Sequence, residues 1–160
     1  MNLVRENINF ERGLDPKSAL GIGSRRAIVD WFDSFPFYVS RQNYKINEDL
    51  SVDINHDFPL SLQGDKELFP NGELPPYINF RTTGDLDVDD CRLKSLRGFP
   101  KQTDGYFSCQ MNQLTSLKDG PKEVFGSYYC NGNPGKFSEK DVRNICYVSE
   151  NVQADDTPDP

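Results

Sequence analysis

Gly84, Gly105 and Gly126 recur at an interval of 21 residues, and Pro100 and Pro121 share that interval. A chain that repeats one short unit in register buries an apolar side only by stacking the copies, so this interval restricts the fold more than any other feature. Counted from each glycine, the second position holds Leu86, Phe107 or Tyr128, and the fourth holds Val88, Cys109 or Cys130. Such alternation describes a short strand with its large side chains turned inward.

The seventh position is Cys91, Asn112 or Asn133, the ninth is Leu93 or Leu114, and the twelfth is Leu96 or Leu117. A turn after each strand leaves backbone groups facing the interior, and a short Asn or Cys side chain can satisfy them as a ladder along the stack. Period and pattern are those of leucine-rich repeats. The expected fold class is therefore α+β: a short leucine-rich-repeat-like β-solenoid with N-terminal helices and a C-terminal capping helix. Two departures stand out. Thr83, Asp104 and Phe125 occupy the usual first leucine, and Gly135 replaces the ninth-position leucine of the last copy.

Three segments follow from this pattern: an N-terminal helical segment over 1–43, a repeat-like domain with its cap helix over 44–147, and an acidic tail over 148–160. Tyr44 to Ile54 alternates apolar and polar residues and reads as a hairpin or opening strand pair. Residues 57–83 contain four prolines and no clear register, so degenerate repeat and irregular loop both remain open. Ser138-Glu139-Lys140-Asp141 is a capping box that should open a helix presenting Val142, Ile145 and Cys146. The acidic, proline-bearing residues 150–160 are expected to be disordered unless a partner holds them.

Asp15-Pro16 predicts a helix start, and Gly21-Ile22-Gly23 should interrupt that helix before Ser24 caps a second one. In the second, Ile28, Trp31, Phe32 and Phe35 form an apolar stripe at helical spacing. Either the first repeat covers the stripe, or the stripe docks a partner. The second alternative makes Trp31 a protein-binding residue and lets the N-terminal helices contribute to an oligomer.

These residues carry a resemblance. The stretch from Glu6-Asn7-Ile8-Asn9-Phe10-Glu11 through Leu20-Gly21-Ile22-Gly23, the Trp31-Phe32 helix and the phrase Cys109-Gln110-Met111-Asn112-Gln113-Leu114-Thr115-Ser116-Leu117 look like the leucine-rich-repeat-like proteins of large tailed bacteriophages. The resemblance spans most of the chain outside 57–75. It implies a viral origin and a repeat scaffold, and it implies no reaction.

Charge narrows the partners. Of 18 basic and 25 acidic residues, the first fifty hold seven of each, so the whole net charge of -7 falls on residues 51–160. Phosphate neutralisation needs a clustered basic face, and the one compact cluster is Arg25-Arg26, so no nucleic acid is expected on the repeats. No apolar run reaches the roughly 18 residues of a membrane span, and residues 1–6 lack a secretory signal pattern. The expected location is the host cytoplasm or the virion. Cys91, Cys109, Cys130 and Cys146 include no Cys-x-x-Cys pair, as suits free thiols.

Catalytic chemistry has little to build on. A cysteine nucleophile needs a neighbouring base, and the only histidine, His56, lies outside the repeats. The four cysteines at successive repeat positions would form a row rather than a zinc tetrahedron. Gly21-Ile22-Gly23-Ser24 lacks the ending of a phosphate loop, and Asp85, Asp87, Asp89 and Asp90 lack the glycine and distal glutamate of a calcium loop. The expectation is no enzyme, no cofactor and no metal. Outward residues of the strands, Asp85, Asp87, Tyr106, Ser108, Ser127 and Tyr129, line one face and are the candidate protein-binding residues. The expected function is a phage-encoded protein-interaction module, virion structural or virion-associated, with binding of a host protein inside the infected cell as the alternative.

Overall fold

The structure, a computed structural model, describes residues 16–37 and 39–159, with side chains from residue 25 onward. The N-terminal phrase from Glu6 through Asp15 lies outside the described residues.

The chain is mixed α/β rather than the expected α+β repeat fold with several N-terminal helices. Among the described residues there are two α-helices, α1 (Pro16–Asp33) and α2 (Glu139–Ile145), and two sheets built mostly from two-residue strands. The first sheet has six strands: β1 (Tyr44–Ile46), β2 (Val52–Ile54), β4 (Phe80–Thr83), β6 (Gln102–Thr103), β8 (Glu123–Val124) and β10 (Tyr147–Val148), in that spatial order. The second has five: β3 (Leu60–Ser61), β5 (Leu86–Asp87), β7 (Phe107–Ser108), β9 (Tyr128–Tyr129) and β11 (Val152–Gln153). All pairings are parallel except the antiparallel β1–β2 hairpin.

The six-stranded sheet is the correction. A pattern with one alternating strand per repeat leads to one sheet, yet each turn of this chain contributes a strand on both sides. The extra strands precede the glycines, where the inward residues are Thr83, Thr103, Val124 and Val148, all buried. Two buried threonines do not read as core, and their hydroxyls are satisfied locally, Thr83 Oγ1 donating to the Gly84 carbonyl and Thr103 Oγ1 to that of Gly105. The glycines mark the corner between the sheets, where successive turns touch. A Cβ on Gly105 would lie 1.9 Å from Asp85 Oδ1, and one on Gly126 would lie 2.7 Å from the Tyr106 nitrogen.

Register across the second sheet follows the 21-residue interval: Leu86 pairs with Phe107, and Phe107 with Tyr128. These three are fully buried in columns with Val88, Cys109 and Cys130. Each turn after the strand passes through a left-handed residue, Gly64, Asp90, Met111 or Gly132, with φ between +52° and +80°.

The two ends are closed by α1 and by α2 with β11, in part as the residues suggest. Helix α1 runs unbroken through Gly21-Ile22-Gly23, so a single helix stands where two were expected. Glycine weakens a helix but does not break it when packing holds the rest. The stripe Ile28, Trp31, Phe32 and Phe35 is buried, Phe32 stacks on Tyr44 of β1 at 4.1 Å, and Trp31 meets Phe80 of β4 at 6.2 Å. At the other end, the capping box of Ser138 and Asp141 starts α2, which buries Val142 but leaves Ile145 38% exposed. The last residues form β11 instead of a free tail: Val152 and Ala154 are buried, the Tyr128 backbone N–H donates to the Asn151 carbonyl and the Cys130 backbone N–H to that of Gln153.

Candidate interaction surface

The outer face of the five-stranded sheet is built by alternation. With Leu86, Phe107 and Tyr128 turned inward, Asp87, Ser108, Tyr129 and Gln153 stand on the outside of β5, β7, β9 and β11. Asp85, Tyr106 and Ser127 precede them, and Asp89, Gln110 and Asn131 follow. The backbone beneath is held from turn to turn, as in Leu86 N–H to the Tyr106 carbonyl and Val88 N–H to that of Ser108, both at 2.9 Å.

Three carboxylates lie along the β5 side. Asp85 Oδ1 accepts from the Tyr106 nitrogen at 3.0 Å, Asp87 Oδ1 accepts from the Asp89 nitrogen at 2.9 Å, and Asp89 Oδ1 accepts from Ser108 Oγ at 2.6 Å and the Gln110 nitrogen at 2.7 Å. Burial, opposed by the Ser108 bond and reinforced by Asp87, raises the Asp89 carboxyl above the ordinary carboxylate range. On the next two turns, Tyr106 and Tyr129 sit half-buried and edge to face, with ring centroids 6.0 Å apart. The Tyr106 phenol is raised first by burial and then by Asp87, Asp85 and Asp89.

The expected binding residues therefore divide. Asp85, Asp87, Tyr106 and Tyr129 come together on this face. Ser108 and Ser127 lie on it but are 4% and 6% exposed, because Ser108 turns its hydroxyl to Asp89 and Ser127 turns its own to Glu150. Trp31 is not on it: the indole is 6% exposed among Phe32, Phe35 and Phe80, so the chain itself covers the stripe. Asp89, Gln110 and Asn131 belong to the face, and carrying the alternation two residues past each strand would have found them.

The thiols are placed for packing. Cys91, Cys109, Cys130 and Cys146 are all free and buried. Burial pushes Cys91 and Cys130 up to about 12 and Cys146 to about 11, and raises Cys109 as well, the reverse of what a nucleophile requires. His56 instead faces solvent beside Asp57, at 3.1 Å. Among the described residues, no group of three or more His, Cys, Asp or Glu is arranged to hold a metal, and no helix is long and apolar enough to cross a membrane.

No protein-family model, curated protein or solved structure matches the chain.

Proposed function

We propose that the chain is a non-enzymatic, phage-encoded protein-interaction module whose working surface is the outer face of the five-stranded sheet. The observation that carries the reading is the Tyr106–Tyr129 pair. Two half-buried rings stand on a sheet backbone bonded on both sides, beside carboxylates that are themselves anchored by backbone donors. Tyrosine on a rigid support presents contact area at small entropic cost, which is why it concentrates in protein interfaces. A phage origin rests on the resemblance of the N-terminal phrase and of the stretch around Asn112. A virion structural or virion-associated role is placed ahead of binding to a host protein in the infected cell.

A photo-cross-linking residue at position 129, compared with one at position 123 on β8 of the other sheet, tests the surface in infected cells. A discrete adduct from 129 with none from 123 is expected; no adduct from 129, or the same adducts from both, overturns the reading. Mass spectrometry of purified virions separates the two roles, since absence from the particle removes the virion one.

A further inference from the structure

The outer face of the five-stranded sheet gathers three carboxylates, Asp85, Asp87 and Asp89, on and beside β5. Some acidic side chains elsewhere are answered by cations of the same chain, Asp53 by Arg81, Glu73 by Arg97 at 2.8 Å, Glu139 by Arg143 at 2.8 Å, Asp33 by Arg41 at 3.3 Å and Asp90 by Lys66 at 3.4 Å, while others, Glu123 on β8 among them, have no such partner among the described residues. Among the described residues, Asp85, Asp87 and Asp89 form no ion pair. Each engages Oδ1 with backbone or hydroxyl donors and leaves Oδ2 without a donor from a described residue. The three occur at alternate positions of one extended segment, roughly 6.6 Å apart by strand geometry.

The tyrosines give this face a second feature, independent of its charge. Tyr106 follows Asp85 by one turn, Tyr129 follows Asp87 by two, and their rings meet at 84°. An aromatic ring attracts a cation placed over its face, and a neighbouring carboxylate attracts the same cation from the side. A neutral or acidic partner would leave three carboxylates desolvated without a counter-charge, which is costly.

We infer that the occupant of this face is an extended segment of a partner protein carrying arginine or lysine at alternate positions. Its cationic groups lie over Tyr106 and Tyr129 and donate to the outer oxygens of Asp85, Asp87 and Asp89. The alternate spacing follows from the sheet: a strand-like segment laid along β5 presents every second side chain toward it, in step with the three aspartates. Nucleic acid and anionic membrane surfaces are repelled by the same charges. This inference rests on the proposed function of the face.

The test is fluorescence anisotropy of the full chain against a labelled peptide of alternating arginine and serine, with a glutamine–serine peptide of equal length as reference. Asp87→Asn keeps the acceptor oxygen for the Asp89 nitrogen and removes only charge, and Tyr129→Leu removes only a half-buried ring. Glu123→Gln makes the same charge change on an exposed position of β8, in the other sheet. Expected are binding of the arginine peptide over the glutamine one, and losses of about three- to tenfold for Asp87→Asn and Tyr129→Leu, the scale of single cation–π and ion-pair contacts. Glu123→Gln should change affinity by less than about twofold, the scale of one exposed charge. Equal losses from Asp87→Asn and Glu123→Gln would reduce the effect to net charge and overturn the inference. Failure of the arginine peptide to bind overturns it too. Adduct formation from position 129 is indifferent to the partner's charge, so the face could still stand as an interaction surface.

Discussion

Asn112 and Asn133 stand in register on consecutive turns, and each sends its Nδ2 to a carbonyl 24 residues earlier, Val88 for Asn112 and Cys109 for Asn133. Asn112 also donates to the carbonyls of Cys109 and Gln110, and its Oδ1 accepts from the nitrogens of Cys91 and Leu93. Asn133 donates to the Cys130 carbonyl and accepts from the Leu114 nitrogen. At the head of the series, the Cys91 thiol donates to the Leu62 carbonyl at 3.1 Å.

Both asparagines should therefore matter to stability. A solvated Asn133, as its flanking Gly132, Pro134 and Gly135 suggest, is not what the fold provides: the side chain is only 2% exposed. Asn112→Ala and Asn133→Ala should each cost roughly 1–3 kcal/mol, because buried backbone groups lose their partners. Asn112→Ala should cost more, since it strands five hydrogen bonds against three. Denaturant midpoints measure this, and a larger loss at Asn133 would contradict the bond pattern.

Gly105→Ala is expected to destabilise by about 1–3 kcal/mol, the usual range for forcing extra volume into a closed site. The new methyl meets Asp85 Oδ1, the atom that holds the Tyr106 nitrogen, so Tyr106 should shift as well. Gly64→Ala has nothing within 4 Å and meets only the strain of φ +75°, about 1 kcal/mol. Thermal melts of the two variants should rank them in that order.

The four thiols predict an alkaline limit. Their pKa values lie above the ordinary value of 9.0, so the folded state keeps protons that the unfolded state releases. Stability is therefore complete below about pH 9 and falls as pH rises from there toward 12. Native alkylation of Cys109 and Cys130 at pH 8 should be slow and should become rapid in denaturant. Fast native labelling of either would refute their burial.

Asp53 predicts an acid limit of opposite sign. It receives Arg81, Asn47 and Thr82, and the Arg81 bond foremost holds its carboxyl well below the usual carboxylate range. A depressed carboxyl contributes above its unfolded pKa, near 3.8, and loses that contribution as pH falls below it. Asp53→Asn should flatten the acid side of the stability curve, with a loss at pH 7 of about 1 kcal/mol, since Arg81 is well exposed. An unchanged acid transition in that variant would place the sensitive group elsewhere.

Much of the second sheet could be read from residues alone. Its inward columns alternate large side chains, its corner glycines are forced by the next turn, and its Asn and Cys positions answer backbone groups that every turn leaves inside. All three are local demands that each copy repeats, so they surface as a 21-residue interval. The first sheet could not be read in this way. A two-residue strand has no periodicity of its own, and Thr83 and Thr103 occupy core positions with residues that look like surface. Thr83 to Thr103 also spans one residue less than Gly84 to Gly105, which puts those strands out of step with the glycines.

The sequence by itself determined the interval, the inward residues of β5, β7 and β9, and the excess of acid after residue 50, because each depends on side-chain type at a repeating position. Only the tertiary structure decided that Trp31 is covered by Phe80, that Ser108 and Ser127 turn their hydroxyls to acidic neighbours, and that residues 152–153 are a strand. The physical reason is the same in all three. Each is settled by a group distant in sequence: the unpaired backbone of β9 receives Val152-Gln153, and Val152 and Ala154 gain burial that no nearby residue in the acidic segment could supply.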